Sequence, residues 1–504
     1  MGKGKDKMEY LIGIDLGTSG AKIVLFSSRG KTVCSAMRSY SLYQPKNGWA
    51  EQAPEDWWNA VADGLSDVLS QSGVDASLIR GIGLSGQMHG LVLLDHLGCP
   101  LRRAIIWCDQ RSQEECVQLE ETLGQDRLLD ITGNPALPGF TASKILWVQN
   151  HEPHLWEKCA HILLPKDYIR YQLTGELATD VSDASGMLLF DVKNRCWSKE
   201  MCEICGITED MLAGIYESYE KVGCVKEDLA KELGLTDHVA VAAGAGDNAA
   251  AAVGTGTVGE GRCNISLGTS GTIFISSKNF RVDSNNALHA FAHADGTYHL
   301  MGCMLSAASC NKWWMEDILN TQDFGKEQEP ITAEKLGAND VYYLPYLMGE
   351  RSPHNDPAAR GSFIGLRMDS TRADMTQAVL EGVAFAIKDC VEIARAQGVE
   401  IASSTLCGGG AKSPLWREIM ANILGIPLAL PQTEQGPGYG GAMLAAVACG
   451  EYATVQECAD KLIKIKSVTE PDPALVKKYA ARYELWHKLY PALKPLYAEM
   501  EALQ

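Results

Sequence analysis

The chain has 504 residues, 46% of them hydrophobic and 21% charged, with a formal charge of −18. That length fits two hydrophobic cores rather than one, in an ordinary globular composition. The negative charge repels nucleic acid and anionic membrane over most approaches, so small ligands held by local donors are the expected partners. Sixteen cysteines with neither a paired framework nor a secretory leader point to free thiols in the cytoplasm. No apolar run is long enough to span a bilayer. The head "MGKGKDK" is short and polar, and Asp6 departs from the myristoylation pattern.

"YLIGIDLG" and "AKIVLF" read as two strands around a turn of small residues, and "GKTVCSAMRSYSL" extends that antiparallel sheet. A helix is expected over "APEDWWNAVADGLSDVLSQSG". Pro54, Glu55 and Asp56 start it, Trp57, Val61, Leu65 and Val68 recur at helical spacing, and Gly73 stops it. Strand and helix then alternate through "IRGIGLSGQMHGLVLLD", "FTASKILWVQNHE" and "PKDYIRYQLTG". Cys202 and Cys205 form a lone C-x-x-C, a weak metal or redox signal that reads more simply as thiols packed on a helix. A second half opens near "VAVAAGAGDNAAAAVGTG". It continues through a long helix, "ADMTQAVLEGVAFAIKDCVEIARAQG", a strand-turn-helix at "STLCGGGAKSPLWREIMANILG" and a small-residue helix at "GPGYGGAMLAAVACG". Interleaved strands and helices place the chain in the α/β class.

Leu-Gly-Thr-Ser-Gly occurs twice, at residues 16–20 and 267–271. Recurrence half a chain apart suggests two related domains, each opening with the same hairpin. No Walker P-loop is present, and the two G-x-G-x-x-G matches, at Gly81 and Gly254, do not run from a strand into a helix. The paired turns offer phosphate another cradle. Glycine lets backbone N–H groups converge, and Thr18, Ser19, Thr269 and Ser270 add hydroxyls, although a plain hairpin turn has the same composition. Only the first copy carries a carboxylate, Asp15 against Ser266, so only it can face a hydrated Mg²⁺. Asp247 follows an apolar strand and precedes a helix of the smallest residues. It is either a helix cap or a carboxylate that a substrate hydroxyl can reach, with Asn248 beside it. Gln87, Met88 and His89 end a strand in a glycine-flanked loop, where a histidine is as readily structural as ligand-binding. Gly408, Gly409 and Gly410 form either a tight turn or a close approach to a flat base.

With these residues in order, the chain resembles the FGGY carbohydrate kinases from about residue 9 to residue 450. The signatures "GFTASKILWVQNH" and "GSFIGLRMDSTRADMTQAVLE" carry the likeness, with "YLPYLMGERSPHNDP" among other matching segments. The resemblance implies two actin-like, ribonuclease-H-like domains flanking a deep cleft: residues 8–250 on the sugar and phosphate side, 251–490 on the nucleotide side, and a helical tail over 491–504. It implies phosphorylation of a sugar by ATP with Mg²⁺. Asp247 matches the catalytic base, and Asp15 the aspartate near the metal and the transferring phosphate. Gln87, Met88, His89 and Asn248 fall at the sugar. Thr18, Ser19, Gly268 and Thr269 fall at the phosphates, and Gly409, Gly410 and Ser413 at the adenosine, with Trp313 near the nucleotide. The Met-His pair matches members acting on D-xylulose, while Tyr439 departs from them; ribulose, gluconate and glycerol are the alternative acceptors. A nucleotide-switched binding protein of the actin or Hsp70 type shares the ancestral fold but carries a different appended architecture. A homodimer is left open by the sequence.

Overall fold

The computed structural model describes residues 8–432 and 436–503; the basic head and the residues just before Gly436 lie outside them. The first sheet begins with β1 (Tyr10–Leu16), β2 (Gly20–Ser27) and β3 (Thr32–Ser39), an antiparallel meander. Helix α1 (Pro54–Ser72) packs on β2 and β3 with Trp57, Val61, Leu65 and Val68 fully buried, and Gly73 closes it in the left-handed conformation at φ 64°. Strand β4 (Ile79–Gly86) then pairs parallel with β1. Helices α2 (Thr141–His151) and α3 (Pro165–Thr174) follow. Strands β5 (Lys221–Cys224), β6 (Ala240–Ala242) and β7 (Ala245–Gly246) complete the sheet in the order β5-β6-β4-β1-β2-β3, with β7 on the end of β4. Helix α4 (Asp247–Gly254) follows directly.

The second sheet repeats the plan. A hairpin of β8 (Arg262–Leu267) and β9 (Gly271–Ser277) is followed by β10 (His289–Ala292), β11 (Tyr298–Met304) and the long α5 (Arg372–Ala396). Strand β12 (Ser403–Cys407), α6 (Pro414–Leu424) and β13 (Leu428–Pro431) come next. Helix α7 (Pro437–Ala448) and the edge strand β14 (Ile465–Thr469) follow, and the strand order of this sheet is β10-β11-β9-β8-β12-β13-β14. An antiparallel ribbon, of three strands in the first sheet and four in the second, is continued by parallel strands, and each repeated turn closes the corresponding hairpin.

Two features depart from a simple division at residue 250. That position lies inside α4, and α7, though late in the chain, packs on β1 and β4 of the first sheet and on α4. The contact is backbone on backbone. A Cβ added at Gly13 would overlap the carbonyl of Gly438, one at Gly83 that of Gly441, and one at Gly440 that of Ala250. Tyr439, on the same helix, is buried against Phe26 with ring centroids 4.9 Å apart and lines none of the cavities described below. The chain end is likewise part of the second core. A helix over Leu489–Ala502 buries Tyr490 and Tyr497 there, and Tyr479 and Arg482 bond the buried Glu381 at 2.9 and 3.1 Å. Cys202 and Cys205 are buried in a third apolar cluster, as packed thiols are.

The glycine seam generates a stability prediction. Gly440→Ala forces a methyl into the Ala250 carbonyl and is expected to cost about 3 kcal/mol or more. Gly409→Ala meets nothing within 4 Å and is expected to unfold like the wild type. Comparable denaturation midpoints for G440A and G409A would refute the seam's role.

Candidate functional site

Two cavities lie between the two halves, and a third lies within the second half. The first, about 390 Å³, is lined by Met88, His89, Asp247 and Asn248 together with Thr272, His289 and Arg351 from the second half. The second, about 310 Å³, shares Asn248, Thr272 and Met301 with it and adds Ser266 and Gly408. The third, about 860 Å³, is lined by Gly268, Thr269, Gly409, Gly410 and Ser413. Nine of the residues singled out in the sequence therefore fall on one track, four at one end and five at the other.

Asp247 is the first residue of α4, and the cap position itself belongs to Gly246. Its Oδ1 accepts the Asn248 backbone N–H at 2.8 Å and the Asn248 Nδ2 at 3.0 Å. Burial, with the charge of Asp15 adding to it, pushes this carboxyl up to about 7. Asp15 ends β1 beside β4, where Ser85 Oγ donates to it at 3.2 Å; burial raises its carboxyl despite that bond. The turn carrying Asp247 is held from below by ions. Lys166 bridges Asp167 at 2.8 Å and Asp180 at 2.9 Å with no exposure, and Arg170 and Lys166 both donate to the Ala243 carbonyl. Ser182 Oγ accepts the Gly246 N–H at 3.1 Å and donates to Asp180 at 2.6 Å. Buried charges this well partnered specify a geometry more than they add stability.

The first Gly-Thr-Ser turn is braced by side chains. Tyr40 OH donates to the Gly17 carbonyl, Gln52 Nε2 to that of Thr18 at 2.7 Å, and Trp107 Nε1 to Thr18 Oγ1 at 2.9 Å. Ser19 is exposed at its tip. Gln87 belongs to this brace and not to the sugar-sized cavity, contrary to the sequence expectation. It is 1% exposed, and its amide donates to Gln52 at 2.8 Å and to the Gly17 carbonyl at 3.4 Å. One residue further on, the loop turns over and presents Met88 and His89 to the cavity instead. Among the described residues the second turn is held by backbone donors, as Ala307 and Ala308 donate their N–H groups to Thr269 and Gly268 at 3.0 and 2.9 Å.

His89 adopts φ 68°, the left-handed region that non-glycine residues rarely enter. Its Nδ1 lies 2.8 Å from the Gly186 carbonyl, which can only accept, so Nδ1 carries the proton. Burial lowers the ring to about 3, so it is neutral and Nε2 is an acceptor for a hydroxyl. His289, also lining this cavity, is lowered to about 4 by burial and sits 2.9 Å from Asn134 Oδ1. Its place was not legible in the sequence, because it lies on β10 with no motif around it. Arg351 and Asn355 do lie in a segment that carries the family likeness, "GERSPHNDP", yet nothing in that string tells which side chains reach a cavity made by the other half.

At the edge of the 310 Å³ cavity, Gly408 at φ 87° turns the chain so closely over Leu267 that a Cβ would stand 2.6 Å from its carbonyl oxygen. Gly409, one residue on, is open to the 860 Å³ cavity. Ser413 caps α6 by accepting the Trp416 N–H at 3.2 Å and donates to Gln328 at 2.7 Å. Lys312, Phe324 and Gln328 also line this cavity and were not anticipated, since they sit on short helices without a recognisable pattern. Trp313 does not line it and faces Tyr343, with centroids 6.5 Å apart.

Among the described residues no cluster of three or more His, Cys, Asp or Glu side chains could enclose a metal ion. Asp15, with Asp247 as its charged neighbour, suits a Mg²⁺ held mainly by water and phosphate oxygens. No helix among the described residues is long and apolar enough to cross a membrane.

Comparison with known proteins identifies the family. The model of the N-terminal domain of the FGGY family of carbohydrate kinases matches residues 10–254, and that of its C-terminal domain residues 263–449. The chain is 38% identical to a xylulose kinase of Bacillus subtilis over 99% of its length and 100% of the relative's. It is 40% identical to a xylulose kinase of Escherichia coli, covering 97% and 100% of the two chains. Among solved structures, a kinase from Brucella ovis described as a xyloylose kinase superposes with TM-score 0.91 at 39% identity, covering 97% of this chain and 100% of that one. A gluconate kinase from Lactobacillus acidophilus superposes with TM-score 0.90 at 27% identity, covering 98% and 100%. With both domain models in sequence and relatives aligned nearly end to end, this chain belongs to the FGGY family of carbohydrate kinases.

Proposed function

We propose that the protein transfers the γ-phosphoryl group of ATP to the terminal hydroxyl of D-xylulose, giving D-xylulose 5-phosphate and ADP. The observation that carries this reading is the position of Asp247. It lies at the wall of a sugar-sized cavity that continues, through Asn248, toward a larger cavity lined by the second Gly-Thr turn. The xylulose kinases named above support the choice of sugar.

In this reading Asp247 accepts the proton of the attacking hydroxyl. Phosphoryl transfer has a loose transition state, so positioning dominates and the base takes its proton late. A carboxyl raised to about 7 is a better proton acceptor than an ordinary aspartate while still ionised in part at neutral pH. Neutral His89 accepts a sugar hydroxyl at Nε2, and Asn248 both steadies Asp247 and borders the sugar. The turns at Thr18 and Thr269, one from each half, supply N–H and hydroxyl donors to the phosphates. Asp15 would hold a hydrated Mg²⁺, which when bound would neutralise charge developing on the phosphates. A second reading, a sugar acid as acceptor, is favoured by one observation. Arg351 lines the same cavity with no carboxylate partner among the described residues.

ADP release measured over a panel of D-xylulose, ribulose, gluconate and glycerol tests the substrate. D-xylulose is expected to give the highest kcat/KM, and preference for gluconate would favour the second reading. Because the base must be ionised in the free enzyme, kcat/KM for the sugar is expected to rise with pH through about 7. Asp247→Asn is expected to lower kcat by roughly 10²–10⁴-fold and to lose that acidic limb. An aspartate raised in the fold from its ordinary 3.8 weakens the fold as pH climbs from about 4 to about 7, since the unfolded chain ionises first. The same variant is therefore expected to melt above the wild type at pH 8 and level with it at pH 4. Near-normal turnover by D247N would exclude Asp247 as the base.

A further inference from the structure

The Met88-His89 loop is held from inside by a lysine that the proposed chemistry does not use. Lys144 lies on α2 with no exposure, and among the described residues it has no carboxylate within ion-pair distance. Its Nζ donates to two backbone carbonyls, that of His89 at 2.9 Å and that of Gly139 at 2.6 Å. Thr141, at the first position of the same helix, donates its hydroxyl to the same His89 carbonyl at 3.1 Å. Asp109, the nearest acid to act on Lys144, is engaged by Arg111 at 2.7 and 2.9 Å.

Burying an ammonium without a counter-ion is costly, and burial lowers this amine to about 7. A core position in a helix that buries Ile145, Leu146 and Val148 would be filled more stably by a hydrophobe. What a hydrophobe cannot do is donate to two carbonyls belonging to different loops. Those loops, His89 on one side and Leu137 to Phe140 on the other, both line the 390 Å³ cavity. The left-handed turn at His89 directs its carbonyl inward to Lys144 and Thr141, while its ring is fixed by Gly186 and by the edge of Phe140, with centroids 4.6 Å apart. The two carbonyl donors lock the backbone, and Gly186 with Phe140 locks the side chain.

We infer that Lys144 is a positioning residue for sugar recognition: by cross-linking the His89 and Gly139 carbonyls it holds His89 in its left-handed conformation, with Nε2 aimed at a substrate hydroxyl. The inference rests on the sugar-kinase reading above, but not on which sugar is the acceptor. It also separates two ends of one site, because among the described residues both hydrogen-bond acceptors of Lys144, His89 and Gly139, line the 390 Å³ cavity and neither lines the 860 Å³ one.

The test uses the full-length enzyme with whichever panel sugar the wild type phosphorylates fastest, so that a wrong choice of sugar does not bear on it. In Lys144→Met the sugar KM is expected to rise about tenfold or more, the scale of a lost hydrogen bond to a charged donor. The ATP KM should stay within about twofold, since only one ligand's binding is disturbed. The thermal shift induced by the sugar should be lost while that induced by ATP persists. Thr141→Val, which keeps the volume and removes one of the two donors to His89, should change the same two readouts in the same direction to a smaller extent. It carries the test if the methionine variant does not fold. Sugar KM unchanged in either folded variant, or sugar and ATP effects falling together, would reduce Lys144 to a structural residue and overturn the inference.

Discussion

Where the late helix meets the first half, backbone packs directly on backbone. Helix α7 lies with Gly438 and Gly441 on the peptide planes of β1 and β4, and Gly440 meets Ala250 of α4, at separations that leave no volume for a side chain. Close packing of this kind excludes slippage, since any methyl inserted at the contact must displace a main chain rather than a rotamer. The strands so fixed carry Asp15 at the end of β1, and the helix so fixed begins with Asp247. A segment from late in the chain thus sets the spacing of two carboxylates from the first half. Burial at that place raises Asp247, and the charge of Asp15 adds to it.

Around that seam the protein uses polar groups where they fix geometry. The first Gly-Thr-Ser turn is tied by Tyr40, Gln52, Gln87 and Trp107, and the second by two backbone donors from a helix start. The turn leading into Asp247 rests on the Lys166 and Arg170 network, and the loop leading into His89 rests on Lys144. In each case a functional candidate half-open to the cavity is backed by a fully buried donor. That arrangement meets the requirement that groups aimed at a reacting centre be held before the substrate arrives.

Much of the site could be read from the string because its chemistry is local. A glycine-rich turn with adjacent hydroxyls, a strand ending in a carboxylate, and a helix opening on Asp-Asn each have a backbone reason that holds in any surroundings. Picked out on such local grounds, Gly268, Thr269, Gly409, Gly410 and Ser413 line one cavity, and Met88, His89, Asp247 and Asn248 another. Gln87, two residues before the left-handed His89, lies in the brace of the first turn, while Met88 and His89 line the cavity. Trp313 lies outside the 860 Å³ cavity because its helical register turns it toward Tyr343.

By itself the sequence determined the class of fold, the duplicated hairpin, the kinase family likeness and the residue types that could carry a phosphoryl transfer, because propensity, periodicity and turn chemistry act over a few residues. Only the tertiary structure decided that α7 crosses to the first sheet, that His289 and Arg351 complete a cavity begun by His89, and that the last helices bury Tyr490 and Tyr497 in the second core. These are contacts between segments far apart in the chain. They are settled by complementary volume and desolvation across the packed interface, quantities that no single stretch of residues contains.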